Sequence, residues 1–169
     1  MEKIPTLIIF SGLPGSGKTT IARELSKQIN ATFFRVDSTE NAMKRSMLKI
    51  HPAEDAGYMV GYAIALDNLT NGMSVVADSV NPIKLTRDDW KAVAAQSNAH
   101  CLEVEVICSD LGIHKKRVES RLADLPVQKL PSWEDVTKRS YEDWDREHLI
   151  IDSAKMSVDE CVAEIITNF

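Results

Sequence analysis

Eight residues constrain this chain more than any others. Gly12-Leu13-Pro14-Gly15-Ser16-Gly17-Lys18-Thr19 satisfies G-x-x-x-x-G-K-[ST] at every fixed position. The run before it, Thr6-Leu7-Ile8-Ile9-Phe10, is short, apolar and partly β-branched, as expected of a strand buried on both faces. After it, Ile21, Leu25 and Ile29 recur at i, i+4 and i+8, one stripe of a helix starting near Gly17. A strand feeding a glycine loop and then a helix makes a phosphate cradle, because glycines let backbone N–H groups turn toward an anion and the helix N-terminus adds partial positive charge. The nucleotide contacts expected from this stretch are Gly12, Leu13, Pro14, Gly15, Ser16, Gly17, Lys18, Thr19 and Thr20. In such a cradle Lys18 reaches the β- and γ-phosphates, and the Thr19 hydroxyl is a ligand for Mg²⁺. ATP and Mg²⁺ are therefore the expected small molecules.

The rest of the chain fits an α/β domain around that motif. Strand-like segments at 32–36, 73–77, 101–108 and 148–151 alternate with helical patterns at 39–50, 56–70, 86–96, 110–122, 133–144 and from 157 onward. Ser157 with Glu160 matches a capping box, and His51-Pro52 breaks the helix before it. The 169 residues suit one domain spanning 1–169, with no repeat or low-complexity stretch. A formal charge of −5 argues against a nucleic-acid partner held by its backbone phosphates. Cys101, Cys108 and Cys161 are odd in number and lack metal-site spacing, as free thiols in a reducing compartment would. The N-terminus lacks a signal-peptide pattern, and no apolar run approaches a membrane span, so a cytoplasmic protein is expected.

In open α/β sheets ligands sit beyond the carboxyl ends of the strands. Two acids stand there, Asp37 after the second strand and Asp78 after the third. Phosphoryl transfer to an alcohol needs one carboxylate to take the hydroxyl proton and others to hold Mg²⁺ or its waters. Asp37 is the expected base, and Asp78 belongs to the magnesium shell or to the acceptor. Charge on the moving phosphoryl group must also be offset. Arg117 and Arg121 lie one helical turn apart just before a loop with prolines, which is how a lid over 121–145 would begin. Such arginines also suit a solvated helix C-terminus. Arg45, Arg87, Arg139 and Arg146 are weaker candidates. The segments 39–70 and 121–145 would enclose an acceptor, and Tyr58, Tyr62, Trp133, Tyr141 and Trp144 are candidates to line it, although large aromatics more often serve the core.

At these residues the chain resembles a known group. Gly12 to Thr20, the Val36-Asp37 strand end, Val75-Val76-Ala77-Asp78 and the Arg117/Arg121 helix look like the small P-loop kinases of the zeta-toxin, chloramphenicol phosphotransferase, gluconokinase and polynucleotide kinase cluster, whose domains are of AAA type. The resemblance covers nearly the whole chain and is specific at the P-loop. It implies a five-stranded parallel sheet in the order 2-3-1-4-5, Asp37 as base, Lys18 on the phosphates, and Arg117 or Arg121 as lid arginines. The chain departs from ring-forming AAA+ motors in lacking a second helical domain and a sensor arginine. The function expected is an ATP-dependent kinase acting on a hydroxyl of a small molecule. A nucleotide or polynucleotide 5′-hydroxyl kinase, a non-enzymatic nucleotide switch and a simple ATPase remain open alternatives, as does a homodimer.

Overall fold

The structure is a computed structural model and describes residues 4–168. Five strands, β1 (Thr6–Ser11), β2 (Thr32–Arg35), β3 (Val75–Asp78), β4 (His100–Ile107) and β5 (Leu149–Asp152), form one sheet in the order β2-β3-β1-β4-β5. Every pairing is parallel. The helices are α1 (Lys18–Gln28), α2 (Val36–Arg45), α3 (Ala56–Thr70), α4 (Lys84–Gln96), α5 (Leu111–Ser120), α6 (Trp133–Thr137) and α7 (Val158–Ile166). Among the described residues no helix is long and apolar enough to cross a membrane.

β1 is central and wholly buried, and its alternation splits the core in two. Ile8 and Phe10 face Ile21, Leu25, Val162 and Ile165 of α1 and α7. Leu7 and Ile9 face Ala65, Leu69, Trp90 and Val93 of α3 and α4. Each of these large side chains contributes about 1.5–3 kcal/mol through burial, so the sheet's two faces hold the strand ends rigidly. That rigidity lines the carboxyl ends of β1, β2 and β3 along one edge, with Phe10 opposite Asp78 and Asp78 opposite Arg35.

Several boundaries differ from the sequence expectation. The helix expected over 39–50 begins at Val36, so Asp37 lies in the first turn of α2, not on an extended strand end. The helix expected over 133–144 stops at Thr137. Beyond it the chain is pinned by long-range contacts that outweigh helical propensity. Arg87, 1% exposed, donates to the carbonyls of Glu142 and Asp143 and lies under the Trp144 ring. Arg146 forks onto Glu103, at 2.8 and 2.6 Å.

Candidate active site

Glycine at 12 and 15 is demanded by space as well as by backbone. Gly12 has φ +132°, and a Cβ there would sit 2.3 Å from the Val106 carbonyl oxygen. Gly15 has φ +82°, and its Cβ would meet Val118 at 2.5 Å. The loop thus turns tightly between β4, α5 and the start of α1. His114 Nε2 donates to the Pro14 carbonyl at 2.9 Å, and Ser153 Oγ donates to the Ser16 carbonyl at 2.6 Å. The first amides of α1 have no carbonyl a turn earlier to bond, which leaves them for an anion.

Lys18 is 7% exposed and donates to the Leu13 carbonyl at 3.0 Å. Burial pushes its ammonium pKa down, against the pull of Asp78 and Asp37. Thr19 Oγ1 donates to Asp78 Oδ2 at 2.6 Å. Burial pushes the Asp78 carboxyl up, opposed by Lys18 and the Thr19 bond. Among the described residues no group of three or more His, Cys, Asp or Glu could hold a metal. A cation beside the P-loop would therefore take one hydroxyl and one carboxylate from the protein. That donor set fits Mg²⁺, which prefers oxygen, keeps several waters and takes the rest from phosphate.

A cavity of about 990 Å³ runs from this cradle outward. Gly15, Gly17, Lys18 and Thr19 line its floor, and Asp37, Glu40, Asn41 and Lys44 line one wall as a single face of α2. Arg121, Gln128, Lys129 and Arg139 line it as well. Ser79, buried at 6% exposure beside Asp78, lines it too.

The structure brings Lys18, Thr19, Asp37, Asp78, Arg117 and Arg121 to this one cavity. The two arginines do not act as a helical pair, however. Arg117 donates to Ser153 Oγ at 2.8 Å and to the Ser153 carbonyl at 3.0 Å. Arg121 is already beyond the last turn of α5, with extended backbone. Of the aromatic candidates only Tyr58 lines the cavity. Tyr62 packs edge-on against Trp90, Trp133 against His114, and Tyr141 and Trp144 flank Arg87.

Glu40, Ser153 and Arg35 are among the residues of the site that were not singled out from sequence. Glu40 sits one turn after Asp37, and Gly57 leaves it room, since a Cβ there would approach Glu40 Cγ to 2.6 Å. Ser153 joins the P-loop to Arg117. Arg35 is 7% exposed at the end of β2. An arginine closing an apolar strand immediately before Val36-Asp37 was the available signal for the last.

Residues 7–139 match a family model described as an AAA domain. None of the curated proteins matches the chain. Among solved structures, a Chloroflexus aurantiacus protein superposes with TM-score 0.78 at 18% identity, covering 99% of this chain and 97% of that one. The Mycobacterium tuberculosis APS kinase CysC, in complex with AMPPNP and APS, gives 0.69 at 16% identity, with 96% of each chain covered. A gluconokinase from Sinorhizobium meliloti gives 0.63 at 18%, covering 98% of this chain and 96% of that one. At these identities the likeness is one of fold.

Proposed function

This chain belongs to the AAA domain family, and from that membership we propose that it is an ATP-dependent phosphotransferase acting on a hydroxyl of a small molecule. One observation carries the reading. The cavity lined by the P-loop is lined as well by α2 and by residues of the 121–139 region, with Asp37 exposed among them. A bare nucleotide switch has no need of those further walls. The APS kinase structure holds AMPPNP and APS together, and the gluconokinase shares the fold, which supports a nucleotide and an acceptor sharing such a space.

In this reading the P-loop amides and Lys18 hold the β- and γ-phosphates. Lys18 and Arg121 offset the charge that spreads over the transferring group. Asp37 takes the proton of the acceptor hydroxyl, that oxygen bonds to the γ-phosphorus, the bond from phosphorus to the bridging oxygen breaks, and ADP departs. Thr19 and Asp78 would hold Mg²⁺, which when bound neutralises phosphate charge. Gln128, Lys129 and Arg139 shield the reacting atoms from water, which would otherwise compete as acceptor.

The test is transfer itself. The protein is incubated with γ-labelled ATP and a panel of sugars, nucleosides, aminoglycosides and other alcohols. A labelled organic product is expected from wild type, is lost in Lys18→Ala, and forms only at a slow residual rate in Asp37→Asn. Label appearing only in inorganic phosphate across the panel overturns the kinase reading.

A further inference from the structure

The guanidinium of Arg35 is buried among three carboxylates that come from separate parts of the chain. Nη1 donates to Asp124 Oδ2 at 2.7 Å. Nη2 reaches Asp37 Oδ2 at 3.4 Å, a long contact. Nε lies 3.9 Å from Asp78 Oδ2 and has no hydrogen-bond partner. Asp124 also accepts from Arg23 Nη2 of α1 at 3.3 Å, and Asn41 of α2 donates to the Pro126 carbonyl. The 121–131 segment, which brings Arg121, Gln128 and Lys129 to the cavity, is thereby tied to α1, β2 and α2 at once.

How the fork is shared matters for chemistry. An arginine fork binds one carboxylate best through two parallel N–H···O bonds. Here the short bond goes to Asp124, so Asp37 is steadied at one edge and keeps lone pairs for a hydroxyl proton. Were Asp124 to leave, Asp37 would be the nearest exposed carboxylate left for the fork, and a two-bond pairing would occupy both its oxygens.

We propose that Arg35 is a positioning residue that couples docking of the 121–131 segment to the readiness of Asp37 as a base. The segment that lines the cavity also diverts the arginine that would otherwise engage that base. Proton abstraction is thus favoured only when the segment is docked. This inference rests on the role given to Asp37 above.

The full-length protein is compared with Asp124→Asn, Asp124→Glu, Asp37→Asn and the Asp124→Asn/Asp37→Asn pair. ADP release is read with and without acceptor, and protease cleavage within 121–131 is read with ADP bound. Asp124→Asn is expected to be cleaved faster and to lose about 10- to 100-fold in kcat, the scale of a misplaced catalytic group, with a smaller change in KM for ATP. Asp124→Glu restores both readouts. In the Asp37→Asn background Asp124→Asn has no further effect on kcat, because its target is gone. Additive losses in the pair, or faster cleavage with unchanged kcat, overturn the positioning role and leave Asp124 as a loop anchor. Absence of ADP release from wild type is a different failure: it removes the phosphotransferase reading, and this inference with it.

Discussion

Thr19 Oγ1 and Asp78 Oδ2 are 2.6 Å apart, a hydrogen bond that joins the first turn of α1 to the end of β3 across 59 positions of sequence. It holds together the two oxygen donors suited to Mg²⁺. Thr19→Ala and Asp78→Asn should each raise the Mg²⁺ concentration for half-maximal ADP release by about tenfold or more, the usual scale for loss of a ligand's support. A Mg²⁺ titration of turnover checks this, and unchanged midpoints would remove both residues from the metal shell.

Of the described glycines, Gly12 leaves an added Cβ the least room. Alanine would combine a φ of +132° with a Cβ 2.3 Å from the Val106 carbonyl. Backbone strain plus overlap should cost Gly12→Ala about 2–4 kcal/mol. A lowered Tm by calorimetry is expected, together with loss of the stabilisation that ATP gives to wild type.

Under the proposed function, Glu40 would contact the acceptor and not the nucleotide. Burial first, then the nearby Asp37, pushes its carboxyl up, and it lines the cavity beyond the P-loop. Glu40→Gln is expected to raise KM for the acceptor about tenfold, equivalent to one charged hydrogen bond, with KM for ATP unchanged. Steady-state kinetics varying each substrate in turn decides it.

Asp152 sets a pH dependence of stability. Its carboxylate accepts from Ser109 N at 3.0 Å, Ser109 Oγ at 2.5 Å and Ala154 N at 3.1 Å, and pairs with Lys155 at 3.0 Å. Burial would push this carboxyl up, but those donors together hold it well below the usual carboxylate range. A carboxyl that is more acidic in the folded state adds stability above its unfolded value of 3.8, and that stability is lost as pH falls below it. Asp152→Asn should therefore lower stability by about 1–2 kcal/mol at pH 7. The gap to wild type should narrow below about pH 4, as denaturation at several pH values would show.

Local and global signals were unequally readable. The P-loop, β1 and α1 were legible because motif, apolar run and helical stripe are contiguous and each implies the next. The capping box at Ser157 and Glu160 was legible for the same reason. The start of α2 was not, since the backbone turns helical at Val36 immediately after the extended Arg35 and no sequence pause marks the change. The 138–144 stretch was misread as helix because nothing local announces that Arg87 will hold the Glu142 and Asp143 carbonyls, or that Glu103 and Glu105 will hold Arg146 and His148 just beyond.

By itself the sequence determined the strand, glycine-rich loop and helix around residues 12–19, an α/β alternation and the two acids at the ends of β2 and β3. These depend on neighbours within a few positions, where residue type and spacing settle the backbone. Tertiary structure alone decided that Arg35 divides itself between Asp124 and Asp37, that Arg117 serves Ser153, and that Tyr58 alone of the candidate aromatics meets the cavity. Such pairings join residues up to 89 positions apart, as Arg35 and Asp124 are. They exist only because packing on the two faces of the sheet brings those segments within hydrogen-bond reach.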